Sequence, residues 1–248
     1  MKKSILLISL LSFIVGLSGL KKVRLATTEW APYSGKELDG EGAFILIVKE
    51  AFRTMEYEVD IDFYPWERTV YLAEKDSTYD GYLPEYYSAE RAENFYFSNP
   101  VCSGPLGFAE RKDDPIEWET LEDLKKYNIG TVKEYVNTED FDIMLNGGEF
   151  KSERALNDLM NLKKIIKGRV DCAVIDKFVL QYFLKYESDL KESKDLLQFN
   201  EKILENRKIY VCFSKKTKRG KELTDVFNLG LEKIKVESLL NDYIKKYQ

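Results

Sequence analysis

Between Val23 and Asp176, stretches that alternate apolar and polar residues take turns with stretches whose apolar residues return every three or four positions. The first pattern belongs to a strand with one buried face, the second to an amphipathic helix. Val23 to Thr27 alternates and runs into Trp30-Ala31-Pro32-Tyr33-Ser34-Gly35, where Pro and Gly enforce a loop. Phe44, Ile47, Val48, Ala51, Phe52 and Met55 mark a helix. Tyr57 to Tyr64 alternates again, Pro65 to Glu74 suits a helix, and Tyr79 to Leu83 makes a short strand. An order of strand, helix, strand, helix, strand needs crossover connections, which places the chain in the α/β class with a parallel sheet.

The pattern then begins again. Gly104 to Glu110 reads as a strand, and Leu121 to Lys126 as a short helix set up by Thr120. Ile129 to Lys133 is a strand that ends in Glu134-Tyr135-Val136-Asn137-Thr138, with Asn137 expected to cap a helix running through Leu145. Ser152 is expected to open a helix that Gly168 closes. Val170 to Asp176 is an apolar strand finishing in a carboxylate, and Phe178 to Tyr186 is helical. Ile209 to Phe213 is a last strand, followed by helices over 222–234 and 237–247. No strand follows them, so they are expected to pack back on the first half and make it discontinuous.

Residues 1 to 18 fall outside this scheme. Lys2 and Lys3 precede an apolar run from Ile5 to Leu17, and Gly16-Leu17-Ser18 offers a small-x-small cleavage site, the signature of an export signal. The run is shorter than the ~20 residues a membrane span needs. No cysteine stands near the cleavage point, so the expected product is a soluble periplasmic or secreted protein, starting near Gly19 and without a lipid anchor.

Composition narrows the function. The net charge of −5 disfavours nucleic acid as a partner, because neutralising phosphates supplies much of that affinity. The chain contains no histidine, which removes the commonest general base and the commonest zinc ligand. Cys102, Cys172 and Cys212 are scattered without metal-ligand spacing. No cofactor or metal is expected, and binding gains weight over catalysis.

The segment with the most chemistry is Asp80-Gly81-Tyr82-Leu83-Pro84-Glu85-Tyr86-Tyr87-Ser88-Ala89-Glu90-Arg91, followed by Phe97-Ser98-Asn99-Pro100. It holds one fixed cation, Arg91, three residues after the hydroxyl of Ser88, in a run rich in aromatics. A guanidinium walled off from water can grip a carboxylate through two parallel charge-assisted hydrogen bonds. The competing reading makes Arg91 the opening of a surface helix, paired with Glu90 or Glu93.

Together with Trp30, Pro65-Trp66 and Gly168-Arg169-Val170-Asp171 leading to Asp176, these motifs resemble the family 3 extracellular solute-binding proteins of ABC importers. The resemblance runs in order from Val23 to Tyr247. It implies the two-lobed type II periplasmic binding fold, each lobe a mostly parallel sheet flanked by helices, joined by a two-strand hinge. Lobe 1 would be 19–102 plus 214–248, and lobe 2 would be 103–213. It further implies a monomer that closes on an amino acid or small carboxylate and delivers it to an ABC permease. Arg91 with Ser88 would hold the α-carboxylate, and Asp176 the α-ammonium. Trp30 and Trp66 would wall the site, Arg68 would reach a second carboxylate or pair with Glu67, and the turn of Tyr135, Asn137 and Thr138 would offer amides. Asp176 could instead cap the helix from Phe178, and both roles hold only if its two oxygens divide the work.

The chain departs from the family where small hydroxyl residues usually receive the ammonium, at Pro84 and Tyr86, and where Glu134 replaces a glycine. Two alternatives stay open: an enzyme of the same fold using Glu85, Glu134 and Asp176, and a receptor that senses a ligand without transporting it. Cys102 and Cys212 are expected to lie side by side at the hinge, close enough for a disulfide.

Overall fold

The computed structural model describes residues 20–247, so the expected export signal lies outside the described residues. Ten strands join in one curled sheet. In chain order the elements are β1 (Lys21–Thr27), α1 (Ala43–Arg53), β2 (Tyr57–Phe63), α2 (Trp66–Lys75), β3 (Gly81–Tyr86), α3 (Ala89–Asn94), β4 (Phe95–Phe97) and β5 (Cys102–Arg111). Next come β6 (Asn128–Val132), α4 (Glu139–Asn146), β7 (Lys151–Ala155), α5 (Asp158–Ile166), β8 (Cys172–Asp176) and α6 (Lys177–Tyr186). The chain closes with β9 (Leu197–Phe199), β10 (Glu205–Ser214), α7 (Gly220–Glu232) and α8 (Val236–Tyr247).

The strand order is β2-β1-β3-β10-β5-β8-β6-β7. Strands β2, β1 and β3 run parallel at one end, and β8, β6 and β7 run parallel at the other. Between them, β10 and β5 are antiparallel to each other and to their outer neighbours. These two long strands are the crossing segments of a two-lobed α/β fold. Each serves both lobes: β10 pairs with β3 through Ile209–Phe213 and with β5 through Glu205–Ile209. Helices α7 and α8 pack on α1, as expected of a chain that returns to its first lobe.

The core follows the sequence periodicity. In α1 the apolar positions Phe44, Ile47, Val48, Ala51 and Phe52 are all fully buried, where each large side chain contributes about 1.5–3 kcal/mol. A second cluster gathers Trp66, Val70, Tyr82, Phe95 and Cys212 under α2.

Three expectations need correction. Residues 151–155 form β7, an edge strand paired with β6, and the helix begins only at Asp158, capped by Asn157, whose Oδ1 accepts from Met160 N at 3.0 Å. Asn137 does not cap α4. The helix residue Asp142 reaches back instead, accepting from the Asn137 backbone N at 2.8 Å and from its Nδ2 at 2.7 Å. Cys102 stands opposite Ile209, whereas Cys212 pairs with Tyr82 and Phe97. That offset of three positions is roughly 10 Å along a strand, beyond the ~7 Å limit for a bond, and all three cysteines are free.

Candidate functional site

The loop after β1 is rigid because Trp30 and Ser34 bridge it: Trp30 N donates to Ser34 O at 2.8 Å, and Ser34 Oγ to Thr28 O at 2.7 Å. This fixes the Trp30 and Tyr33 rings in a stack with centroids 4.6 Å apart. Tyr86, at the end of β3, meets Trp30 edge-on at 5.9 Å, and Tyr135, on the turn after β6, meets Trp66 edge-on at 5.6 Å. Trp30, Trp66, Tyr86 and Tyr135 thus wall a cavity between the lobes, with Thr28, Pro84, Glu85 and Val136. Its volume is about 30 Å³, space for one or two waters and far below an amino acid.

Direct bonds hold the lobes together. The Trp66 indole N–H donates to the carbonyl of Glu134 at 2.9 Å, and Arg91 donates to the same carbonyl at 3.0 Å. Glu134 adopts φ 64°, the left-handed region that favours glycine, and that turn presents its carbonyl to the first lobe at a cost of about 1 kcal/mol. Lys133 pairs with Glu67 at 2.9 Å across the same seam.

Asp176 is 1% exposed. Its Oδ1 caps α6, accepting from Phe178 N at 2.8 Å and Val179 N at 3.3 Å, Oδ2 accepts from Tyr86 at 3.4 Å, and the Tyr33 hydroxyl straddles both oxygens at 3.3 and 3.2 Å. Only Oδ1 caps the helix, while both oxygens meet the Tyr33 hydroxyl. Gly104 makes this possible: a Cβ there would stand 2.1 Å from Asp176 Oδ2 and 2.5 Å from the Tyr33 hydroxyl. Burial pushes the Asp176 pKa up to about 7, and its hydrogen bonds offset this only in part.

Asp158, in the first turn of α5, is buried as well. Burial first, and the nearby charge of Asp176 second, push its pKa up to about 7. The Trp30 indole and the Tyr135 hydroxyl stand near enough to favour its anion, although the Trp30 N–H completes no hydrogen bond of normal geometry. Glu85 is the third buried acid. Tyr82 donates to its Oε2 at 2.9 Å, Tyr86 N to its Oε1 at 2.9 Å, and Arg91 Nε to its Oε2 at 3.2 Å. Burial still outweighs these partners and lifts its pKa to about 7.

Of the residues singled out from sequence, the cavity brings together Trp30, Trp66, Tyr86 and Tyr135, with Asp176 bonded to Tyr86, while Arg91 and Ser88 line a separate cleft of about 630 Å³ that also touches Glu134, Tyr135 and Arg207. Ser88 is the N-cap of α3, accepting from Arg91 N at 3.1 Å. Arg68 lies over the Tyr64 ring at 4.9 Å, and Glu67, its other expected partner, is engaged by Lys133. Asn137 is tied to Asp142, and Thr138 sits at the start of α4 without a side-chain bond to the helix. Arg91 pairs with neither Glu90 nor Glu93: its ion-pair partners are Glu85 and, at 3.9 Å, Glu134. Tyr33, Asp158 and Gly104 were not singled out. Tyr33 is the only one with a signal, its place in the Pro-Gly loop beside Trp30.

No family model matches the chain, and comparison with curated proteins gives no match. Solved structures do match. A histidine kinase sensor domain with similarity to periplasmic binding proteins superposes with TM-score 0.77 at 15% identity, over 92% of this chain and 96% of its own. An ancestral arginine-binding protein bound to arginine gives 0.74 at 17%, over 92% and 99%. An amino acid ABC transporter substrate-binding protein from Streptococcus pneumoniae, bound to L-arginine, gives 0.72 at 18%, over 91% and 93%. The chain therefore has the periplasmic-binding-protein fold.

Proposed function

We propose that this chain is an extracytoplasmic solute-binding protein that takes a small molecule with an ammonium group into the interlobe cleft and reports or delivers it by closing. The supporting observation is the cavity between Trp30, Trp66, Tyr86 and Tyr135, bridged by bonds from Trp66 and Arg91 on the first-lobe side to the Glu134 carbonyl on the other. A solute touching both sides favours the closed form by its differential affinity for it. The two arginine-bound neighbours support amino acids as the first class to test. Delivery to an ABC permease, action as a monomer and export with removal of residues 1 to 18 belong to the same proposal. So do lobe boundaries at 102/103 and 213/214, which fall at the start of β5 and near the end of β10. A second reading, ligand sensing without transport, is favoured by the likeness to a kinase sensor domain. We propose binding and not catalysis.

Thermal shift against amino acids, amines and small carboxylates tests solute capture, because a ligand that binds only the native state raises Tm by mass action. At least one class is expected to raise Tm and to show saturable binding by calorimetry. Deletion of a permease gene that abolishes uptake of that solute would favour transport over sensing.

A further inference from the structure

We infer that the group recognised in this cleft is a cation without a companion carboxylate, so that the solute is a primary amine or small alkylammonium compound and not a zwitterion held by Arg91. The inference rests on the proposed capture of a solute between the lobes and narrows its chemistry.

Arg91 is already engaged. Its Nε is bonded to Glu85, a carboxylate 4% exposed, and its terminal nitrogen to the Glu134 carbonyl. A ligand carboxylate gripping Arg91 through Nε would have to displace Glu85, whose other bonds come from Tyr82 and from the backbone of Tyr86, and one on the terminal nitrogens would meet a cation already paired with Glu85. Displacing Glu85 would leave a buried acid without its cation, an expensive exchange. Arg207 lies over the Tyr86 ring at 5.4 Å, and its terminal nitrogens are taken, Nη1 by Glu205 and Nη2 by the Tyr87 carbonyl, which leaves only a buried Nε without a partner and no two-pronged grip for a carboxylate.

The opposite charge, in contrast, is in surplus. Among the described residues neither Asp158 nor Asp176 forms an ion pair, and no cation is among the largest influences on their acidity. Each sits behind the aromatic wall, Asp176 beneath the hydroxyls of Tyr33 and Tyr86, Asp158 near Trp30 and Tyr135. A wall of four aromatic rings backed by carboxylates favours a desolvated cation, above all an alkylammonium, wherever a ring face is free to meet it. An arriving ammonium can take the place of the Tyr86 hydroxyl on Asp176 Oδ2, while the backbone N–H groups of Phe178 and Val179 keep Oδ1 as the helix cap.

The test compares each amino acid with its own decarboxylation product by calorimetry and thermal shift: serine with ethanolamine, lysine with cadaverine, arginine with agmatine. Choline is compared with its uncharged isostere 3,3-dimethylbutanol. At least one amine is expected to bind ten times or more tightly than its parent amino acid, and choline more tightly than the isostere. Asp158→Asn, shown folded by its thermal transition, is expected to weaken that amine at least tenfold. Tighter binding of the amino acids overturns the inference and leaves solute capture standing. Binding that is unchanged in folded Asp158→Asn also overturns it, as does a panel in which no amine binds.

Discussion

Replacing Asp158 with Asn should stabilise the protein, and by an amount that grows with pH. Asp158 is 4% exposed, pushed up to about 7, and faces Asp176 without a cation. An acid whose folded pKa lies above its unfolded value of about 4 contributes its full stability below pH 4, and loses it as pH rises through 7. At 1.36 kcal/mol per unit, the penalty reaches roughly 1.5 kcal/mol at pH 5 and a ceiling of about 4 kcal/mol at pH 8. Asn keeps the shape and an acceptor oxygen but cannot ionise. Urea unfolding of wild type and Asp158→Asn should therefore show a gain larger by about 2–3 kcal/mol at pH 8 than at pH 5, following the same linkage. Wild-type Tm should fall over that range. An equal gain at both pH values, or a loss at pH 8, would refute the claim that this carboxyl is buried without compensation.

Two further substitutions probe the seam. Gly104→Ala drives a methyl into Asp176 Oδ2 and the Tyr33 hydroxyl and should cost about 1–3 kcal/mol, the usual penalty of overpacking; a loss under about 0.5 kcal/mol in urea unfolding would show that the pair is loose. Arg91→Ala leaves Glu85 buried without its cation and should destabilise by about 3–5 kcal/mol at pH 8. Adding Glu85→Gln should restore most of that loss, and failure to do so would show that Arg91 matters for something other than neutralising Glu85.

The strands and helices were legible wherever one face is buried, because burial imposes the period. In α1 every third or fourth residue faces the core, and the sequence says so. The edge strand β7 was not legible: Lys151-Ser152-Glu153-Arg154-Ala155 buries little besides Ala155, so no repeat records it, and only pairing with β6 makes it a strand. The aromatic wall was visible in part, since Trp30 and Trp66 stand in recognisable loop and helix-start positions. The state of Arg91 was not visible, because its partner Glu85 lies six residues earlier on a different element and meets it only when β3 runs into α3. Asp158 carries no local signal at all. Its burial comes from the docking of α5 against the loop after β1, a contact between lobes that no short window contains.

The central claim is that a solute enters this cleft only when the lobes part and is held when they meet. Glu67 and Lys133 face each other across the seam at 2.9 Å, so Glu67→Cys with Lys133→Cys, in a Cys102→Ser background, allows a short bismaleimide to lock it. The measurement is binding of the solute that most raises Tm, with the lock applied before or after its addition. The account predicts that protein locked first takes up none, and that protein locked afterwards keeps its solute through dialysis. Full uptake by protein locked beforehand would contradict it.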